Sequence, residues 1–271
     1  MGRIPSVNDY KIGICIIPAA GHGSRWAPVS GYLPKEMLPL VDKPVIEQVI
    51  DEAIAAGCEQ IIIVINKQKQ VIKNYLLKTN QRVKLRFVHQ NKPLGIAHAM
   101  LLCKNLIGKN PFVVALPDLP TISHKPVTKQ LMQSFEKIKR AAHLVSFDKF
   151  SLETLHLYSE CLIKPDKDRL LRIKHFCPKG KNPHHAGVRL RMSGKFVFKP
   201  EIFPVIESLM KKPFGEEISD RTALRAALES GQRVLGLEIL GHTYDTGYPE
   251  GYVRANTAFF KRLARKRGVD V

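Results

Sequence analysis

The chain has 271 residues, which is enough for one large domain with a sizeable hydrophobic core. Its 43 lysines and arginines outnumber its 24 acidic residues, which gives a formal charge of +19. Apart from a cluster over 261–267, the cations are spread along the chain and are not interleaved with aromatic residues. We therefore expect a basic surface that attracts phosphorylated substrates, and no nucleic-acid partner.

Composition also bears on location. No apolar run approaches the ~18 residues of a membrane span, so we expect no membrane partner. Residues 1–11 lack the apolar middle of a signal peptide. The 5 cysteines show no C-x-x-C spacing, which is typical of reduced thiols in a cytoplasmic protein.

Strand and helix patterns alternate along the chain. Short apolar runs rich in β-branched residues predict buried strands over 11–18, 58–66 and 111–118, and an alternating pattern predicts another over 83–90. Apolar residues at helical spacing predict helices over 45–57, 67–78, 96–107 and 127–140. This order favours an α/β fold, with a mixed, mostly parallel sheet covered by helices on both faces.

A glycine loop follows the first predicted strand. Small residues and free N–H groups let the backbone approach an anion closely, and they occur here at Ala19, Ala20, Gly21, Gly23 and Ser24. Arg25 then adds a bidentate positive charge, and Lys35 adds a second cation ten residues on.

Two commoner glycine motifs do not fit this loop. A Walker loop ends in Gly-Lys-Ser/Thr, which is missing, and a dinucleotide motif needs a third glycine where this chain has Trp26. The acid that a dinucleotide site needs after the second strand is also missing, because that strand ends in Asn66. The loop with its two cations therefore predicts a cradle for a nucleoside triphosphate.

The segments PAAGHGSR, PKEMLPL and VDKP follow one another between Ile16 and Ile50. This compound motif resembles the sugar-1-phosphate nucleotidylyltransferases, most closely the bacterial UTP–glucose-1-phosphate uridylyltransferases. The resemblance extends from about residue 11 to 260 and implies a Rossmann-like nucleotide-diphospho-sugar transferase fold in a single domain, 1–271. Within it we expect a nucleotide-binding half over 10–146, a sugar-binding half over 147–260 and a basic tail over 261–271. Family members are commonly dimers or tetramers, so the resemblance also implies a homo-oligomer.

The resemblance implies roles for the nucleotide-binding residues. Arg25 would hold the β- and γ-phosphates, and Lys35 would neutralise charge at the α-phosphate. Gln90 begins a Q-x-x-P-L-G segment of the kind that reads the base in this family. Its amide can pair with a pyrimidine edge, and Gly95 would let the base lie on the backbone.

The resemblance also implies a Mg²⁺ site. Asp118 ends the third buried strand, and Asp245 lies in a Tyr-Asp-Thr-Gly segment that matches the second metal motif of the family. Carboxylates suit Mg²⁺, which takes one or two of them and completes its shell with phosphate oxygens and water. The chain departs from the family beside the first acid, because Pro117 replaces a small residue and Leu119 replaces a second acid.

The match weakens from about residue 147 to 191, where the sugar would bind. The family's Glu-Lys-Pro segment aligns by eye with Phe176-Cys177-Pro178, and an asparagine that faces the sugar aligns with Arg189. Arg189 or Lys174 could supply the cation for the sugar phosphate. Since an aromatic side chain replaces a hydroxyl-binding acid, we expect poor affinity for unmodified glucose 1-phosphate, or another acceptor.

The implied function is transfer of a nucleotide, with UTP and glucose 1-phosphate as the default pair. Pyrophosphate would be released and a nucleotide sugar such as UDP-glucose would form. Two alternatives stay open: a nucleotidylyltransferase for a different phosphorylated acceptor, and a catalytically degenerate regulatory protein that binds nucleotide sugars.

Overall fold

The computed structural model describes residues 12–140, 142–149, 161–176, 190–211 and 217–269. In chain order, the strands and helices of this part are β1 (Ile14–Pro18), β2 (Pro39–Leu40), β3 (Lys43–Pro44), α1 (Val45–Ala56), β4 (Gln60–Ile65), α2 (Gln70–Thr79), β5 (Lys84–His89), α3 (Gly95–Leu102), α4 (Lys104–Ile107), β6 (Phe112–Ala115), β7 (Thr121–Ile122), α5 (Val127–Lys137), β8 (His143–Lys149), β9 (Cys161–Pro165), β10 (Leu170–Phe176), β11 (Leu190–Phe198), α6 (Ile202–Met210), α7 (Asp220–Glu229), β12 (Val234–Glu238), β13 (His242–Thr243) and α8 (Pro249–Lys266). None of the helices in the described ranges is both long and apolar enough to span a bilayer.

One large sheet organises the molecule. Within the described ranges, nine strands lie in the order β5-β4-β1-β6-β11-β8-β12-β10-β9. Strands β5, β4, β1 and β6 run parallel to one another, whereas β11 is antiparallel to both of its neighbours, β6 and β8. The predicted mixed α/β sheet is confirmed, with parallel pairs among β5, β4, β1 and β6 and a further parallel pair between β8 and β12. The carboxyl ends of β1, β4, β5 and β6 therefore meet at one edge, which is where α/β sheets bind ligands.

Apolar layers cover both faces of this sheet. On one face, Ile16 of β1 packs in a cluster with buried residues of α3, α6 and α7. On the other face, Cys15 and Ile17 pack with buried residues of α1, α2 and α5. Successive residues of a strand point to opposite faces, so a strand buried on both sides must be apolar throughout. This requirement explains the unbroken apolar runs from which the strands were predicted.

Several element boundaries differ from the predicted ones. The helix expected over 96–107 is divided at Cys103 into α3 and α4. Helix α5 ends at Lys137, and the backbone turns into the left-handed region at Lys139 and Arg140, with φ of 50° and 57°. The start of the basic tail, over 261–266, continues α8, whose residues Ala255 and Phe259 are buried in a third apolar cluster.

Candidate active site

The glycine loop is anchored at the end of β1. The backbone N–H of Ala19 donates to the carbonyl of Val64 at 2.7 Å, and the Asn66 amide Nδ2 donates to the carbonyl of Ala20 at 2.8 Å. Gly23 has φ of 70°, a left-handed conformation that favours glycine. The chain then enters the short 3-10 turn Ser24–Trp26, which leaves Arg25 exposed beside the loop.

We call the space bordered by the glycine loop, Asp118, Asp245 and Gln90 the cleft. At one end of it, Lys35 contacts Asp118. Its Nζ lies 2.5 Å from Asp118 Oδ2, and both side chains are largely buried, at 19% and 18% exposure. Burial alone raises the pKa of Asp118, but the Lys35 ion pair and hydrogen bond, with Arg25 nearby, hold that pKa below its ordinary value. Burial alone lowers the pKa of Lys35, yet the charges of Asp118 and Glu36 leave it raised. Both groups are therefore charged near neutral pH.

The second predicted metal residue lies beside the first. A Cβ added to Gly247 would lie 2.8 Å from Asp245 Oδ1, 3.0 Å from Asp118 Oδ2 and 3.7 Å from Arg25 Nη1. The gap left by this glycine is therefore bordered by two carboxylates and one guanidinium. Mg²⁺ binds oxygen at about 2.1 Å, so the two carboxylates and the gap fit a divalent cation that shares its shell with phosphate. The described residues contain no cluster of three or more metal-binding side chains, so water and substrate oxygens would complete the shell of such an ion.

Thr246 fixes the geometry of this cluster. Its backbone N–H and its hydroxyl both donate to the Asp118 carbonyl, at 2.9 and 3.0 Å. The Trp26 indole N–H donates to the Thr246 carbonyl at 3.0 Å. The loop after β1, the end of β6 and the turn before α8 are thus joined by hydrogen bonds around the gap.

Gln90 lies at the other end of the cleft. With Ala20, Asn66 and Pro93 it lines a pocket of about 240 Å³ at the ends of β1, β4 and β5. Gln90 is only 5% exposed, and its Nε2 donates to the Gly95 carbonyl at 3.0 Å and lies 2.9 Å from His98 Nδ1. Gln90, which the sequence predicts to read the base, therefore lines a cavity at the edge of the sheet where α/β folds bind ligands.

Gly95 has a packing role that the sequence did not indicate. Its φ is +90°, and an added Cβ would lie 2.3 Å from the Ile218 carbonyl oxygen. The chain at Ile218 pairs with both sides of this turn, through Leu94 O and Ala97 N. A side chain is therefore excluded at Gly95 by the neighbouring backbone, and the Gly95 carbonyl serves as an acceptor for Gln90.

Three supporting residues carried no sequence signal. Lys69 is 5% exposed and donates to both oxygens of Glu36, at 2.8 and 2.7 Å, directly behind Lys35. Burial lowers the pKa of Lys69, and the charge of Glu36 offsets part of this effect.

Lys195 is fully buried and donates to the Leu119 carbonyl at 2.8 Å, next to Asp118. Among so many cations, nothing in the sequence marks Lys69 and Lys195 as internal. Asn66 is not marked either, because in the sequence it is an ordinary polar residue at the end of a strand.

The acceptor side corrects one expectation. Phe176 is 1% exposed and packs in the apolar core, so its ring does not take the place of a sugar-facing carboxylate. The alignment by eye missed this because the register of β10 shifts between Ile173 and His175, and Phe176 therefore falls on the buried face. Lys174 is exposed on β10, and its side chain makes no hydrogen bond or ion pair with the part of the chain that is described. Arg189, Cys177 and Pro178 lie outside the described residues.

Comparison with known proteins places this geometry in context. The family model for nucleotidyl transferases matches residues 14–262. The chain is 32% identical to UTP–glucose-1-phosphate uridylyltransferase of Bacillus subtilis (strain 168), over 92% of this chain and 91% of that protein. It is 33% identical to UTP–glucose-1-phosphate uridylyltransferase 1 of Streptococcus pyogenes serotype M3, over 91% and 88% of the two chains.

Solved structures agree with these relatives. A crystal structure of UDP-glucose pyrophosphorylase complexed with UDP-glucose superposes with a TM-score of 0.82 and 31% identity, and covers 93% of this chain and 100% of that one. A UTP-bound UGPase from Acinetobacter baumannii gives a TM-score of 0.76 at 25% identity, over 93% and 94% of the two chains.

Proposed function

Because the chain belongs to the nucleotidyl transferase family, we propose that it joins UTP to a sugar 1-phosphate, by default glucose 1-phosphate, releasing pyrophosphate and forming a nucleotide sugar such as UDP-glucose. The observation that carries this proposal is the convergence of Arg25, Asp118 and Asp245 on the gap at Gly247, beside Lys35. The names of the related proteins support the choice of substrates.

The reaction needs little covalent chemistry from the protein. A phosphate oxygen of the sugar 1-phosphate forms a bond to the α-phosphorus of UTP. The bond from that phosphorus to the bridging oxygen breaks, and pyrophosphate leaves with the electron pair. Because the acceptor supplies its own nucleophile, the protein contributes positioning and charge stabilisation.

The charged residues divide this task. Exposed Arg25 would bind the β- and γ-phosphates, since its guanidinium can hold two phosphate oxygens at once. Lys35 is held in its charged form by Asp118 and would shift towards the α-phosphate when UTP enters. A divalent cation such as Mg²⁺, held by Asp118 and Asp245, would offset the negative charge of the phosphate oxygens.

The two alternatives make different use of the same site. A different acceptor would leave the nucleotide end unchanged, and it remains compatible with the weak sequence match over 147–191. A degenerate regulatory protein would not need Arg25, Lys35, Asp118 and Asp245 in one place, so their convergence favours an enzyme. Cys15, Cys58 and Cys103 form no disulfide within the described residues, in keeping with the proposed cytoplasmic location. A homo-oligomer remains part of the proposal.

One assay separates these functions. Pyrophosphate release is measured with UTP, Mg²⁺ and a panel of sugar 1-phosphates, with and without a chelator. Chelator-sensitive release with glucose 1-phosphate supports the proposal. Release with another member of the panel alone identifies a different acceptor. UTP or UDP-glucose binding without release from any member would contradict the enzymatic proposal and favour the regulatory protein.

A further inference from the structure

The contacts of the Gln90 side chain with the described residues leave one of its polar atoms for a ligand. The Gly95 carbonyl can only accept a hydrogen bond, so the amide atom 3.0 Å from it must be the nitrogen, Nε2. The same nitrogen lies 2.9 Å from His98 Nδ1. Both amide hydrogens are therefore used inside the protein, and the carbonyl oxygen Oε1 is the atom left for the pocket.

His98 can accept that second hydrogen only when its ring is neutral at Nδ1. Burial lowers the pKa of His98, which favours the neutral ring. The ring's proton then lies on Nε2, because Nδ1 is engaged as an acceptor. If Nδ1 were protonated, two hydrogen-bond donors, Nδ1 and the amide Nε2, would face each other. The amide could not rotate to present Oε1 to Nδ1 instead, because Oε1 would then face the Gly95 carbonyl, which can only accept.

We propose that His98 is a specificity-determining positioning residue, which holds the Gln90 amide so that the pocket presents a hydrogen-bond acceptor to the base. The inference rests on the proposed function, since it assumes that the nucleotide base enters the pocket lined by Gln90, Asn66 and Pro93. A base with an imide N–H, such as uracil or thymine, can donate to Oε1. Cytosine in the same pose places the N3 lone pair against Oε1, so two acceptors face each other without a hydrogen.

The expected size of this effect follows from the number of hydrogen bonds. A site built around a buried, oriented polar group discriminates against a ligand that leaves it unpaired. Gly95 keeps one of the two contacts to Gln90 when His98 is replaced, so the orientation weakens without being abolished. We expect the preference for UTP over CTP to fall about tenfold, as for the loss of one such contact.

The test is calorimetric binding of UTP and of CTP in the absence of any acceptor sugar. His98→Leu removes the acceptor and is predicted to lower the ratio of the two affinities about tenfold. His98→Asn is the matched control, because Oδ1 of asparagine can accept in the place of Nδ1, and it should keep most of the wild-type ratio. His98→Ala is a second disruptive variant, which cannot introduce a clash should leucine impair folding. Arg25→Ala should weaken both nucleotides alike and leave their ratio unchanged.

The outcomes are distinguishable. A wild-type protein that binds UTP well but not in preference to CTP overturns the inference and leaves the proposed function standing. So does a folded His98→Leu or His98→Ala variant with the wild-type ratio. Failure of the wild-type protein to bind UTP at all overturns both proposals.

Discussion

The two ends of the cleft are held by different kinds of interaction. At the phosphate end, charged groups face one another, as in the Lys35–Asp118 pair, and a further buried pair supports them from behind. At the base end, the contacts are neutral hydrogen bonds made by Gln90 and Asn66 to backbone carbonyls. Charge attracts any phosphate, whereas oriented neutral groups distinguish one partner from another. Changes at the phosphate end should therefore affect every nucleotide, and changes at the base end should affect which nucleotide is used.

The largest effect is expected at the two carboxylates. Asp118→Asn and Asp245→Asn should each lower the turnover number on the order of 10²–10³-fold with every nucleotide, because each removes charge from the proposed cation site. The double variant should be little worse than either single one, since residues that act as a unit give non-additive losses. The turnover numbers of the single and double variants are measured by steady-state kinetics across a range of Mg²⁺ concentrations. Independent, multiplying losses would argue against a shared ion.

The next effect concerns the buried pair behind Lys35. Lys69→Met leaves Glu36 buried without its partner and should destabilise the protein by about 3–5 kcal/mol, as when other buried pairs are broken. Replacing both residues, as in Lys69→Met with Glu36→Leu, should recover much of that loss. Denaturant unfolding measures both free energies. A single variant as stable as the wild type would show that the pair does not support this end of the cleft.

Arg25→Ala should have a smaller effect than either change. Its side chain is exposed in the structure, so the fold should be intact, with an unchanged unfolding midpoint. Loss of its charged hydrogen bonds should lower kcat/KM about 10- to 100-fold, for UTP and CTP alike. Turnover of UTP at the wild-type rate would refute the assignment of Arg25 to the phosphates.

The smallest effect is expected where Asn66 holds the glycine loop. Asn66→Ala removes the hydrogen bond to the Ala20 carbonyl and should raise KM for UTP a few-fold, with kcat nearly unchanged. Asn66→Ser is the matched control for the cap at the turn Lys67–Lys69, because its hydroxyl can still accept from the Gln68 N–H but is too short to reach Ala20. The two variants should therefore share the raised KM. A normal KM in both would mean that the loop holds its position without Asn66.

The sequence predicted the parts of this molecule that depend on local pattern. Apolar runs indicated the parallel strands, and the order of motifs indicated Lys35 and Asp118, which the structure brings into contact. The orientation of Gln90 could not be predicted, because it is set by Gly95 and His98 after the chain has turned back on itself.

The buried lysines show a second limit. Lys69 and Lys195 are internal only because carboxylates or carbonyls from distant segments meet them there. Phe176 illustrates the same limit, because an alignment by eye does not show which face of β10 a residue occupies, and the structure buries this one.

The most direct test is a crystal structure of the protein with Mg²⁺ and an analogue of UTP that cannot be cleaved. We expect the ion between Asp118 and Asp245 at the gap beside Gly247, the phosphates against Arg25 and Lys35, and the base N3–H donating to Gln90 Oε1. A nucleotide bound elsewhere, or phosphates placed away from these four charged residues, would contradict this assignment.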